Sequence, residues 1–392
     1  MALLAQHGYG KGMKIEKGLA SGDLKGIIFS PKGDFEMVNI DYARKLKLKY
    51  GYVDVYFDPQ FYLCNFPGDL STGKLASYSY YESGMTRAAL SRLSFLGDVC
   101  DRVFETQNNI GVSKYFTPTI LFHDFNDVES QIAINFAYLG IDRIKSHSED
   151  LMVSLCINEG AFRNRESMDE FLNTITLLDV KGFYIIIDRV AGTQKFTDIS
   201  PDVLVNIMKF VNSLSIDNKF QIIMGYSDML SLPFAAVSNA DFACGWFNSL
   251  KRFSKNSFIK TSGGKHAKPR YTSASLMSSL LLIPELSSIS RQELLDSVLS
   301  DSPYTERAVK RPGEWSDEIS CLHNWHVLNS LICEIQSYRN INDRLNCLIN
   351  KIEDAGILYK YLKKFTVLDG ASDDKHLKKW LEAINLYKQD GR

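Results

Sequence analysis

Phe183-Tyr184-Ile185-Ile186-Ile187-Asp188-Arg189 is an unbroken apolar run that ends on an acid and a base. An amphipathic strand alternates polar and apolar residues, and this one does not. Continuous runs rich in β-branched and aromatic residues belong to parallel strands buried on both faces. The same unit, an apolar run closing on a polar residue and followed by a helical pattern, recurs on both sides of it. Upstream lie Gly26–Ser30, Val53–Asp58, Thr119–Asp124 and Met152–Glu159; downstream lie Phe220–Gly225 and Phe242–Trp246. Helical patterns follow at about Met37–Tyr50, Met85–Gln107, Asp127–Ile144, Ser167–Leu177, Pro201–Leu214 and after Asp228. Parallel strands need crossover helices of this kind.

Seven such units at regular spacing predict an α/β fold, a (β/α)8 TIM-like barrel that is complete or lacks one strand. An open doubly wound sheet would carry a glycine-rich phosphate turn after an early strand. None is read after these seven strands, and Gly22 and Gly26 flank a strand start instead. For the eighth strand two readings stand. Ser279–Ile283 either supplies it or continues a helical face with Leu276, Leu280 and Ile283. On the second reading the N-terminal segment closes the barrel, or the barrel is incomplete. From Arg291 onward the pattern is helical only. Ser316-Asp317-Glu318 is a cap followed by acids at a positive helix end, and further helices run from about Asn342 to Phe365 and after Ser372-Asp373-Asp374. The expected organisation is an N-terminal arm (1–25), the barrel (26–290) and an α-helical extension (291–392).

The 392 residues carry 45 Lys+Arg against 46 Asp+Glu, a net charge of −1. A surface that grips nucleic acid everywhere is excluded by that balance; a local basic patch is not. Seven scattered cysteines without a CxxC pair read as reduced thiols,. The apolar run Ala2–Ala5 is too short for a secretory signal, and no stretch approaches the roughly 18 apolar residues of a membrane helix. The expectation is a cytoplasmic protein with no membrane partner.

In a barrel the strand C-terminal ends and the loops after them build the site. Read in order, those ends present Asp58, His123, Asp124, Asn158, Glu159, Asp188, Arg189 and Asp228. Paired carboxylates serve as nucleophile and general acid/base; the same residues also fit helix caps, above all Asp124, Asp127 and Asp228. The candidate catalytic set is Asp58, Glu159, Asp188 and Asp228. Arg189 is placed either to hold the charge of Asp188 in a buried ion pair or to bind a substrate phosphate. After Asp58 comes a long segment, Asn65–Ser83, with Tyr78-Ser79-Tyr80-Tyr81. Those aromatics either stack on a base or sugar or pack a surface loop.

Phe247–Arg270 holds seven basic residues and no acid: Lys251, Arg252, Lys255, Lys260, Lys265, Lys268 and Arg270, with Gly263-Gly264 among them. Loops after the last strands are the usual phosphate site of such barrels, so Lys251, Arg252, Lys265, Arg270 and Arg189 are the phosphate-binding candidates. No metal site is expected. Cys321-x-His323-x-x-His326 has ligand types, but residues two apart on a helix point in different directions. GxSxG, P-loop and HExxH motifs are absent, and the sequence leaves the cofactor unknown.

The order of the strands, the basic segment after the seventh and the helical tail resemble the tRNA-guanine transglycosylase superfamily over roughly Gly26–Ile283. The resemblance implies a barrel that exchanges a base in nucleic acid with two catalytic aspartates. In that family the first aspartate precedes a Ser-Gly-Gly or Ser-Gly-Ala turn and a cysteine cluster holds zinc. Here Asp58 precedes Pro59-Gln60, and no such cluster is present. Asp58-Pro59-Gln60-Phe61-Tyr62 is also similar to uncharacterised bacterial barrel proteins of defence gene clusters. The leading expectation is an enzyme, transglycosylase- or hydrolase-like, acting on a phosphorylated, nucleotide or nucleic-acid substrate with strand-end carboxylates. The alternative is a non-catalytic barrel subunit of a bacterial, antiviral assembly that binds nucleic acid, or a protein through its C-terminal helices. An enzyme would have its carboxylates converge in an open pocket; a mouth filled by aromatic side chains would favour the subunit.

Overall fold

The computed structural model describes residues 2–144, 150–189, 197–260, 268–292 and 294–390. Strands β1 (Leu3–Gln6), β2 (Gly26–Phe29), β3 (Asp54–Phe57), β4 (Tyr115–Phe116), β5 (Leu121–Phe122), β6 (Leu151–Asn158), β7 (Gly182–Asp188), β8 (Gln221–Met224) and β9 (Asp241–Cys244) form one sheet. Every pairing in it is parallel, in the order β3-β2-β1-β9-β8-β7-β6-β4, with β5 also on β6. Pro118 lies between β4 and β5 and lacks the N–H that a continuous ladder needs,. The two pieces occupy one position, so the barrel has eight. Its last seam, β3 against β4, is not a ladder. Ser113 bridges it, its N–H donating to the Val55 carbonyl (2.6 Å) and its Oγ accepting from the Val55 N–H (3.0 Å). The result is a nearly closed (β/α)8 barrel.

The eighth strand is β1, from the segment expected to be an arm. It sits between β2 and β9, with Leu4 opposite both Gly26 and Ala243. Ser279–Ile283 neither supplies the eighth barrel strand nor continues a helical face, and the N-terminal segment closes the barrel, as the second reading allowed. Residues Arg270–Ser273 (β10) and Ser278–Leu281 (β11) form an antiparallel hairpin outside the barrel. The Leu276, Leu280 and Ile283 spacing matches a helix, but the Tyr271 hydroxyl, His323 and Trp315 hold the hairpin through hydrogen bonds that no local pattern contains.

A helix follows each strand position, and the eighth comes late. Asp317–Ser337 packs against Lys14–Ala20 and Ser231–Val237, the helices after the first and seventh positions. It is the crossover helix owed to β9, so the expected division at residue 290 cuts through the barrel. Ser316 caps it as read from the sequence, accepting from the Ile319 N–H, and Trp325 locks it by donating to the Cys244 carbonyl (2.9 Å). The long helices Ile341–Leu362 and Lys375–Asp390 also lie outside the barrel plan, packed on the helices Ser231–Val237 and Pro201–Asn212. The described residues between Gly245 and Ser316 therefore belong to one very long connection after β9, at the end where barrels build their sites,. Among the described residues, no helix is long and apolar enough to cross a membrane.

The lower interior is filled by an aromatic stack, Tyr56 on Phe116 (5.3 Å) on Tyr184 (4.6 Å). Strands crowd at the base: a Cβ on Gly182 would fall 1.8 Å from the Gln221 carbonyl oxygen, so only glycine fits there. Because β1 completes the ring, Leu4→Ala is expected to lower stability by about 2–5 kcal/mol, the usual cost of a core leucine. Removal of residues 1–6 is expected to abolish cooperative melting. A circular-dichroism melt of the truncated chain that matched the intact protein would show that β1 is an accessory arm.

Candidate functional site

Strand alternation decides where each strand-end residue goes. Successive side chains face opposite sides of a sheet, so Asp58 lies on the face of Tyr56, and Asp188 on the face of Tyr184: the interior. Asp58 is fully enclosed. It accepts hydrogen bonds from the Gln60 N–H (3.0 Å), the Tyr62 hydroxyl (3.0 Å) and the Tyr184 hydroxyl (3.3 Å). Burial pushes its carboxyl up to about 6, against the pull of these donors and of Tyr226 toward the charged form,. Gln60 (φ 51°) and Tyr226 (φ 53°) both hold left-handed backbone and bond one another at 3.3 Å. Non-glycine residues in that region are uncommon and cluster where the surroundings over-determine them.

Asn158 and Asp188 are register partners on β6 and β7. The Asn158 amide donates to Asp188 Oδ2 (2.9 Å), and the backbone N–H of Lys255 donates to Oδ1 (2.8 Å). Burial raises this carboxyl too. Arg189, one residue on, leaves by the other face. The ion pair expected with Asp188 is instead made with Glu159, likewise turned outward, and the Arg189 guanidinium also donates to the Asp198 carbonyl (2.7 Å).

Asp228 goes elsewhere. Its carboxylate does not cap the helix after it; it accepts from Asn324 (3.0 Å) and from the Cys244 thiol (3.4 Å), with Lys251 Nζ at 3.9 Å. Asp127 does cap, accepting from the Ser130 N–H (2.7 Å). His123 lies 3.1 Å from Lys255 Nζ, and Asp124 accepts from the Asn126 N–H. Of the metal-like residues, His323 contacts the Thr272 carbonyl (2.8 Å) and His326 pairs with Asp23 (2.9 Å). Tyr78 and Tyr80 are buried, donating to the Asp34 and Pro59 carbonyls, so they are packing residues and do not offer a stacking surface.

The basic segment crosses the barrel mouth. Its backbone is stitched down by the Arg189 N–H on the Phe253 carbonyl (3.1 Å), the Lys255 N–H on Asp188, and the Ser71 N–H on the Phe258 carbonyl (2.6 Å). Phe253 plugs the opening, its ring 5.1 Å from Tyr62 and 5.3 Å from Tyr226. Asp58 is thereby sealed beneath aromatics. Arg252 bridges to Ser227 on the neighbouring loop. Lys265 lies outside the described residues.

Beside the plug is a cleft of about 1030 Å³. Its walls are the turn after β1, the start of the β9 loop, and the hairpin β10–β11 with the tail. Lys14, Lys251, Lys268 and Arg270 line it, together with Tyr9 and Phe247. Tyr9 is 64% exposed and its ring lies 4.9 Å from Phe247. Two of the cations are already engaged: Arg270 with Asp369 (2.8 Å), and Lys251 with Asp228. Lys14 rests over the Trp246 ring at 5.5 Å and donates to the Gly10 carbonyl (2.8 Å), with no carboxylate partner among the described residues. Of the four candidate carboxylates, Asp228 alone lines this cleft.

Sequence reading passed over Tyr9 and Lys14, and counted Lys268 in the basic segment without placing it among the phosphate-binding candidates. A signal for the first two existed: Gly8-Tyr9-Gly10-Lys11-Gly12 is a glycine-rich turn directly after β1, with Gly10 (φ 67°) and Gly12 (φ 50°) in backbone that only glycine adopts easily,. No protein-family model matches the chain, and no curated protein is significantly similar to it.

Asp58 makes a pH prediction. Its carboxyl titrates near 6 in the folded chain against 3.8 unfolded, so the native state holds the proton more tightly. Its contribution to stability is fully present below pH 4, is lost as pH rises from 4 to 6, and stays lost above. Two pKa units correspond to about 3 kcal/mol. Asp58→Asn is expected to remove that slope, read by urea unfolding from pH 4 to pH 7. Parallel wild-type and variant curves would mean that Asp58 is ionised throughout.

Proposed function

We propose that this protein is a phosphate-recognising barrel that binds a nucleotide or nucleic-acid strand in the cleft beside its plugged mouth. The carrying observation is the pairing of cations with an open aromatic face: Lys14 and Lys268 beside Tyr9 and Phe247, in a space large enough for a nucleotide. Lysines meet phosphate as point charges, and an exposed ring stacks on any base. A phosphate entering the cleft would also draw Lys251 and Arg270 from their present carboxylate partners.

Recognition is favoured over carboxylate catalysis by the scatter of the four acids. Asp58 is sealed, Asp188 and Glu159 are each engaged by a neighbour, and of the four only Asp228 lines the cleft, where Asp317 and Asp369 also lie. The second reading, an enzyme of transglycosylase or hydrolase type, draws on one observation. Asp58, held near its midpoint at pH 6 within a ring of tyrosines, is the kind of perturbed acid that active sites contain.

The test is fluorescence anisotropy with a labelled single-stranded oligonucleotide, and competition by a nucleoside triphosphate. Wild type is expected to bind, and to bind about five- to tenfold more weakly at 200 mM than at 50 mM salt for two phosphate contacts. Lys14→Glu with Lys268→Glu is expected to abolish binding; Lys360→Glu with Lys378→Glu, on the exposed tail, is not. Equal affinity in the two double variants would sink the cleft. Release of free base or phosphate by wild type, lost in Asp58→Asn while binding persists, would instead establish the enzyme.

A further inference from the structure

A second, smaller chamber opens on the same face, between the turn after β1 and the turn after β2. It offers about 40 Å³, enough for a few waters or one small oxyanion and far too little for a nucleotide,. His7, Ser30, Lys32, Gln60 and Tyr226 form its polar wall, and Phe247, Leu250 and Phe258 its apolar one. The two turns approach so closely that a Cβ on Gly33 would sit 3.0 Å from the His7 ring and 3.1 Å from the Gly8 carbonyl carbon. A side chain at Gly33 would have to push the His7–Gly8 turn back by a few tenths of an ångström.

Lys32 is the cation of this chamber, and it differs from its neighbours. Lys11 is paired with Asp34, Lys260 with Asp69, Lys251 with Asp228 and Arg189 with Glu159. Lys32 has no carboxylate partner among the described residues; its ammonium lies 4.3 Å over the Phe258 ring. Burial alone lowers its amine, to about 8, with no acid to lift it back. A half-buried cation facing a cavity, with its polar neighbours already bonded to one another, lacks an anion. The Ser30 hydroxyl and the Lys32 N–H both donate to Gln60 Oε1 (3.0 and 3.2 Å), and the Gln60 amide donates to Tyr226. No acceptor among these is aimed at the ammonium.

We propose that the Lys32 chamber is an oxyanion site separate from the cleft, taking a single carboxylate or phosphoryl group with Lys32 as counter-ion. Phe258 and Phe247 close over the apolar side of the group's bearer. The chamber and the cleft share Tyr9, Phe247, Ser249 and Ser257 along their rims. The anion is therefore either a free small ion or the far end of a longer ligand lying in the cleft. The proposal goes beyond the cleft reading and does not need it.

The experiment measures acetylation of each lysine by an activated acetate ester, with peptide mass spectrometry, at constant ionic strength. Inorganic phosphate and benzoate are the two probes. At millimolar concentration one or both is expected to slow Lys32 labelling severalfold while leaving Lys360 and Lys378 unchanged. Protection by phosphate alone assigns a phosphoryl site, and protection by benzoate assigns a carboxylate site. The Lys14→Glu, Lys268→Glu double variant is expected to keep the protection, because the cleft is not involved. In parallel, phosphate is expected to raise the melting temperature of wild type more than that of Lys32→Met, which retains the side-chain stem and loses the charge. No protection by either probe, protection that vanishes in the cleft variant, or an equal melting shift in Lys32→Met would each overturn the proposal.

Discussion

Four residues hold the ring together. Leu3–Gln6 pairs with β2 on one side and β9 on the other, joining chain segments more than two hundred residues apart. Each backbone group of a parallel strand is committed to a neighbour, so without β1 two strand edges would face solvent at the centre of the sheet. Its insertion also sets the course of the next residues. Residues 7–14 must leave the barrel at the same face as the ends of β8 and β9, which brings Tyr9 and Lys14 opposite Trp246 and Lys251.

The strand-end acids, so prominent along the chain, are sorted by a period of two. Asp188 turns inward with Asn158, while Arg189 and Glu159 turn outward together. An acid and a base adjacent in sequence read as a pair, yet on a strand adjacency separates them. The same rule puts Asp58 over Tyr56, on top of the aromatic stack, where three tyrosine hydroxyls surround it and water does not. Burial there costs the ionised form more than the donors return, and the carboxyl is raised as a result.

The long loop after β9 does three jobs in one passage. It plugs the mouth with Phe253, lines the cleft with Lys251 and Arg270, and delivers the chain to its eighth helix. Its seam to the barrel is made of backbone groups, such as the Lys255 N–H on Asp188 and the Arg189 N–H on the Phe253 carbonyl. Backbone donors carry no sequence signature, so a segment that reads as a basic loop gives no sign that it will be a stopper. The tail is tied to the same region through Arg270, which reaches Asp369 and Ser372.

The alternation of buried strands and crossover helices was legible in the residues themselves. Runs such as Phe183–Ile187 and caps such as Ser316 and Asp127 act within a few positions, and their physics is local. Parallel pairing came with them, because helices of that length leave no other connection. What the chain could not disclose was decided by contacts across large separations. Leu3–Gln6 became a strand because β2 and β9 offered open edges. Ser278–Leu281 became a strand because Tyr271, His323 and Trp315 held its hairpin. Lys14 and Lys268 came to share a cleft because β1 and the hairpin lie on one face. Local pattern reports which residues prefer to be buried; which of them meet is set by the nearly closed ring, where each strand's place depends on its neighbours.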